Sequence, residues 1–120
     1  MNQTSTQMSH LTIKNKNIQE EYLQAESNPH IGLFVHLVLM KPGTAIQSHK
    51  HESTQETIEV LKGKGFLCIN GFVKEIKAGS KEVILPGQIH NFYTRGGTLQ
   101  DPLVFKRIKQ NSHHRDYFTT

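Results

Sequence analysis

From His30 onward the chain alternates short apolar runs with turn residues: HIGLFVHLVLM, KPG, TAIQSH, TIEVL, KGKG and FLCI, then FVKEI, EVIL, PG, HNFY, RGGTLQDP and LVFKRIK. Runs of this length, rich in β-branched and aromatic residues and punctuated every ~8–12 residues, predict an all-β sandwich or barrel. They amount to roughly eight to ten short strands, enough to close a small antiparallel barrel. Asn70-Gly71, between FLCI and FVKEI, predicts a two-residue hairpin, because a type I′ turn needs positive φ at both central positions. Upstream the pattern loosens. Residues 1–17 read as a polar arm with one strand pairing around Leu11–Ile13, and in NIQEEYLQAES the helical spacing of Ile18, Tyr22 and Ala25 predicts a short helix that Asn28-Pro29 ends. The chain thus divides into an arm with a short helix or strand (1–28), a β-barrel (29–110) and a polar tail (111–120).

Composition narrows this without changing it. A chain of 120 residues is long enough for one core and short for two. With 35% apolar and 20% charged residues it suits a globular domain with polar ends. No run reaches the ~18 apolar residues of a membrane helix, and MNQTSTQMSHLTIKNKN lacks a secretory signal's apolar stretch, so a cytoplasmic location with no membrane partner is expected. The lone Cys68, within GFLCI, reads as a buried, inert thiol. The formal charge of +4 comes from scattered lysines, with only Lys106, Arg107 and Lys109 close together. That pattern excludes a nucleic-acid-binding stripe and reads first as solvated surface, with an anionic substrate as the second reading.

The chemistry concentrates in HKHESTQE, His49 to Glu56. With eight histidines in the chain, an H-x-H pair is close to an even bet by chance. The spacing of Gly43, His49, His51, Glu56 and Gly63 together is far rarer. The segment Gly43–Gly63, GTAIQSHKHESTQETIEVLKG, resembles the first cupin motif, G-x5-H-x-H-x3-4-E-x6-G, at every fixed position. The segment Gly79–Thr94, GSKEVILPGQIHNFYT, resembles the second, G-x5-P-x-G-x2-H-x3-N, at Gly79, Gly87 and His90. Here Leu85 stands where the motif has proline, Pro86 comes one residue late, and Thr94 replaces the closing asparagine. The resemblance implies a cupin jelly roll and a metal site formed by His49, His51, Glu56 and His90.

Strand geometry is consistent with that implication. On a strand His49 and His51 face one side about 7 Å apart while Lys50 points away, and an inward Glu56 brings Ile58 and Val60 with it. His90 follows the PG turn with Phe92 on its face. Three imidazoles and a carboxylate suit one divalent ion among Fe, Mn, Zn, Ni and Cu, and suit calcium poorly. Four of the remaining histidines have blander readings: His113, His114 and His10 as solvated, and His36 as satisfied by a backbone carbonyl ahead of a role beside the ligands. Phe92 and Tyr93 read as packing; Glu59 and Gln47 stay unranked.

Two functions fit. One is an enzyme that acts on a small organic substrate through the metal, as an oxygenase or as an isomerase or lyase. The other is a non-catalytic module that binds or senses a small molecule. A homodimer is expected in either case, with LTIKNKNI adding to a partner's sheet edge.

Overall fold

A computed structural model describes residues 9–97 and 100–111. Ten strands follow in chain order: β1 (Ser9–Asn15), β2 (Ile18–Leu23), β3 (Leu33–Met40), β4 (Ala45–His49), β5 (Thr54–Lys62), β6 (Lys64–Ile69), β7 (Phe72–Lys77), β8 (Lys81–Ile84), β9 (His90–Tyr93) and β10 (Leu103–Asn111). They form a six-stranded sheet in the order β1-β2-β3-β10-β5-β8 and a four-stranded sheet in the order β4-β9-β6-β7. Every described pairing is antiparallel.

The two sheets face each other across the core expected of a jelly roll. Met40, Ile58, Ile84, Leu103 and Phe105 come from the larger sheet and Leu67, Ile76 and Phe92 from the smaller, each essentially without solvent contact. Phe92 stacks on Phe105 with ring centroids 4.9 Å apart and joins the sheets at their centre. Side chains of this size hold facing sheets about 10 Å apart, beyond hydrogen-bonding reach. The strands form two facing sheets rather than a closed ring, and the arrangement is the antiparallel jelly roll that the sequence predicts.

Residues 18–25 are not a helix. Ile18, Glu20 and Tyr22 alternate along β2, which pairs with β3 through Ile18↔Met40, Glu20↔Val38 and Tyr22↔His36. The helical spacing of Ile18, Tyr22 and Ala25 is overridden because burying Ile18 and extending the sheet both require period two. Only a 3-10 turn, Gln24–Glu26, retains helical character there. The strand read around Leu11–Ile13 lies within β1, which pairs with β2 of its own chain.

The turns follow their sequences. Asn70 and Gly71, at φ 49° and 85°, close the β6–β7 hairpin. Leu85-Pro86-Gly87-Gln88 forms a type II turn, with proline at its second position, Gly87 at φ 84° and a 3.2 Å bond from Gln88 N–H to the Leu85 carbonyl. The proline that stands one residue late thus occupies the position a type II turn favours.

Candidate metal centre

His49, His51, Glu56 and His90 come together at one end of the space between the sheets, each offering a ligand atom within 4.8 Å of the others. They arrive by different routes. Glu56 sits on β5 in the larger sheet, in phase with the buried Ile58 and Val60. His90 opens β9 in the smaller sheet, in phase with Phe92. His49 ends β4 opposite His90, and Ile46 pairs with Phe92, so three steps on β4 match two on β9. This bulge lets His49 join Ile46 on the inner face, where uninterrupted alternation would turn it outward. His51 lies beyond the strand rather than on it, in the loop before β5. Lys50 points outward as expected, 3.4 Å from Glu52.

Main-chain carbonyls orient two of the rings. His49 Nδ1–H donates to the Gln47 carbonyl at 2.8 Å, and His90 Nδ1–H donates to the Gln88 carbonyl at 2.9 Å. A carbonyl only accepts, so each contact fixes the proton on Nδ1 and leaves the Nε2 lone pair for the centre of the cluster. Ring centroids lie 4.3 Å apart for His49–His90, 5.1 Å for His49–His51 and 5.6 Å for His51–His90.

Glu56 is 1% exposed, with one oxygen 2.9 Å from His51 Nε2 and the other 3.7 Å from His90 Nε2. Neither contact is aligned as a hydrogen bond, and both carboxylate oxygens and both Nε2 atoms are buried without a hydrogen-bond partner among the described residues. Four converging, unsatisfied polar atoms are costly in a folded interior unless a further group satisfies them. Three nitrogens and a carboxylate are a donor set that a divalent transition metal would satisfy. Desolvation holds the His51 pKa below its ordinary value, opposed by the Glu56 charge and reinforced by Lys109, His49 and His90. This bias toward the neutral ring is the one a ligand nitrogen needs.

A cavity of about 550 Å³ opens beside the cluster, lined in part by Ile46, Gln47 and His49. Its far wall carries residues that the sequence reading placed elsewhere. Along β10, Leu103 and Phe105 face the core, and the same period sends Arg107 and Lys109 inward. Only Lys106 turns outward, bonding Glu26 at 2.7 Å. The expectation of a solvated basic surface therefore fails for Arg107 and Lys109. The signal that marks them is the phase of LVFKRIK relative to its own apolar residues.

Arg107 is 12% exposed and forms an ion pair through Nη2 with Glu20 of β2. Desolvation lowers its pKa to about 10, which leaves the guanidinium charged at neutral pH. Lys109 pairs in register with Glu56.

The other candidates separate from the cluster. His36 packs its ring 5.2 Å from Tyr22, in register with Arg107. Phe92 and Tyr93 pack as expected, Tyr93 stacking on Phe66 at 4.9 Å. Glu59 pairs with Lys81 at 3.7 Å, and Gln47 contributes its carbonyl to His49. Cys68 is half-buried rather than fully buried, because it alternates with the inward Leu67. His113 and His114 lie outside the described residues.

The fold is that of several solved proteins. KdgF from a Halomonas species is 18% identical with a TM-score of 0.71, over 85% of this chain and 86% of its own. A Thermotoga maritima protein described as a predicted oxalate decarboxylase is 21% identical with a TM-score of 0.72, over 87% and 92%. The cupin domain of Schizosaccharomyces pombe Cnp3 is 12% identical with a TM-score of 0.74, over 92% and 74%. No curated protein matches the chain in sequence. Residues 36–100, more than half of the sequence and both motifs with it, match the cupin domain, and the chain belongs to the cupin family.

Proposed function

We propose that His49, His51, Glu56 and His90 hold one divalent transition metal and that the protein is an enzyme acting on a small organic substrate taken into the adjoining cavity. The observation that carries this reading is the convergence of buried nitrogen and carboxylate atoms that lack hydrogen-bond partners in the fold. A bound metal would supply Lewis acidity or, if redox-active, oxygen activation. The chain's own part is to keep the Nε2 atoms aimed inward through the Gln47 and Gln88 carbonyls, and to shield the cluster with the apolar residues on either side. His49 belongs to both the cluster and the cavity wall, so a molecule in the cavity would lie against the metal.

A second reading, binding without turnover, draws support from the cavity's acidic groups. Among the described residues Glu20 is engaged with Arg107 and Glu56 belongs to the cluster, so neither is disposed as a general base.

The test is elemental analysis of untagged protein after loading with Fe(II), Mn(II), Ni(II) or Zn(II) and dialysis. About one equivalent of at least one metal is expected, falling sharply in His90→Ala. Retention of none by the native chain refutes the reading. Oxygen uptake and substrate turnover by the loaded protein separate an enzyme from a binding module.

A further inference from the structure

We propose that the cavity receives a small organic acid, with a carboxylate held by Lys109 and Arg107 and the rest of the molecule directed toward the His49–His51–Glu56–His90 cluster. The inference rests on the metal reading above and adds the substrate class.

Charge balance is the first argument. The described charged side chains of the cavity and cluster are Glu20, Glu56, Arg107 and Lys109, whose charges cancel. A divalent ion would leave two positive charges in a partly enclosed space, where uncompensated charge is costly and an anion is favoured. A monocarboxylate removes half of that excess and a dicarboxylate all of it. A neutral ligand removes none.

The second argument is the shape of the basic wall. Were Arg107 only a buried staple, its bond to Glu20 would account for it. Yet its Nε–H is buried without an acceptor among the described residues, and Lys109 adds a second cation two residues along on the same cavity face. Glu20 fixes the guanidinium in place, and a planar, anchored guanidinium beside an ammonium suits a carboxylate. A cavity of about 550 Å³ lies in the range of small-metabolite sites.

The experiment is calorimetry on Zn(II)-loaded protein with lactate, malonate and succinate, each compared with its neutral amide: lactamide, malonamide and succinamide. At least one acid is expected to bind tenfold or more tighter than its amide. Lys109→Gln should weaken that acid about tenfold with zinc content unchanged, and Lys109→Arg should restore most of the affinity. Acids that bind no better than their amides, or equally well to Lys109→Gln, overturn the proposal while stoichiometric zinc leaves the metal reading standing. A chain that holds no metal overturns both, and the zinc measurement identifies that case. Should Lys109→Gln fail to fold, Lys109→Met takes its place, because a carboxylate bound to zinc alone would also outbind its amide.

Discussion

The backbone amide of Gly87 donates to the carbonyl of His51 across 2.8 Å. This bond joins the turn that delivers His90 to the loop that carries His51, so main-chain contacts between the two motifs set two ligands against each other. Gly87 adopts φ 84°, with no atom within 4 Å of the place a Cβ would occupy. Gly87→Ala therefore adds backbone strain without a clash, an expected loss of about 1–2 kcal/mol in chemical denaturation. Metal affinity should fall as well, because His51 loses part of its anchor.

Gly63→Ala should be far more damaging. Gly63 has φ 77°, and a Cβ there would stand 2.1 Å from the Pro102 carbonyl oxygen, a backbone atom that cannot swing aside. A loss of about 3 kcal/mol or more is expected, read as a lower urea midpoint or as insoluble protein. A midpoint within experimental error of the native chain would contradict this.

Thr94 stands where the second motif closes on asparagine, and it ties β9 to the turn before β4. Its hydroxyl accepts from Thr44 N–H at 3.0 Å and donates to the Lys41 carbonyl at 2.8 Å. Thr94→Val keeps the shape and strands the buried Thr44 amide, for an expected cost of about 1–3 kcal/mol. Metal stoichiometry should be unchanged, because the cluster lies at the opposite end of β9.

Glu56→Gln separates stability from ligation. In metal-free protein it removes a buried charge lacking aligned hydrogen bonds, so the melting temperature should hold or rise. In loaded protein the same change weakens the metal, and the added stability seen for the native chain should shrink. That added stability is about 2.7 kcal/mol for free metal at one hundred times its Kd, and EDTA should abolish it. Differential scanning fluorimetry with and without EDTA reads both signs.

The pH dependence of the metal-free protein follows from His51. Its folded pKa lies below the ordinary 6.5, so around that pH the unfolded chain binds more protons than the folded one. Stability linked to His51 is thus fully present above pH 6.5 and is lost as the pH falls through the folded value. Urea midpoints in EDTA should drop between roughly pH 7.5 and 5.5, and the slope should flatten in His51→Gln. Equal slopes would remove His51 from the effect.

The resemblance to the two cupin motifs pointed to the four residues of the cluster, and local patterns in the chain determined most strands, the Asn70-Gly71 hairpin and the turn at Gly87. Those features depend on period-two alternation, on positive φ and on short fixed spacings, all carried by neighbouring residues. Tertiary structure decided what no short window contains. Pairing with β3 turned the helical spacing at Ile18, Tyr22 and Ala25 into a strand. The bulge opposite Phe92 and His90 turned His49 inward. The phase of LVFKRIK turns Arg107 and Lys109 to the inner face of β10, but only the packing of the two sheets put that face on the cavity wall, with Arg107 bound to Glu20, 87 positions away in the chain. Spacing places ligands that share a segment; the charge facing them comes from strands distant in sequence, and only the packing of the two sheets brings that charge to the site.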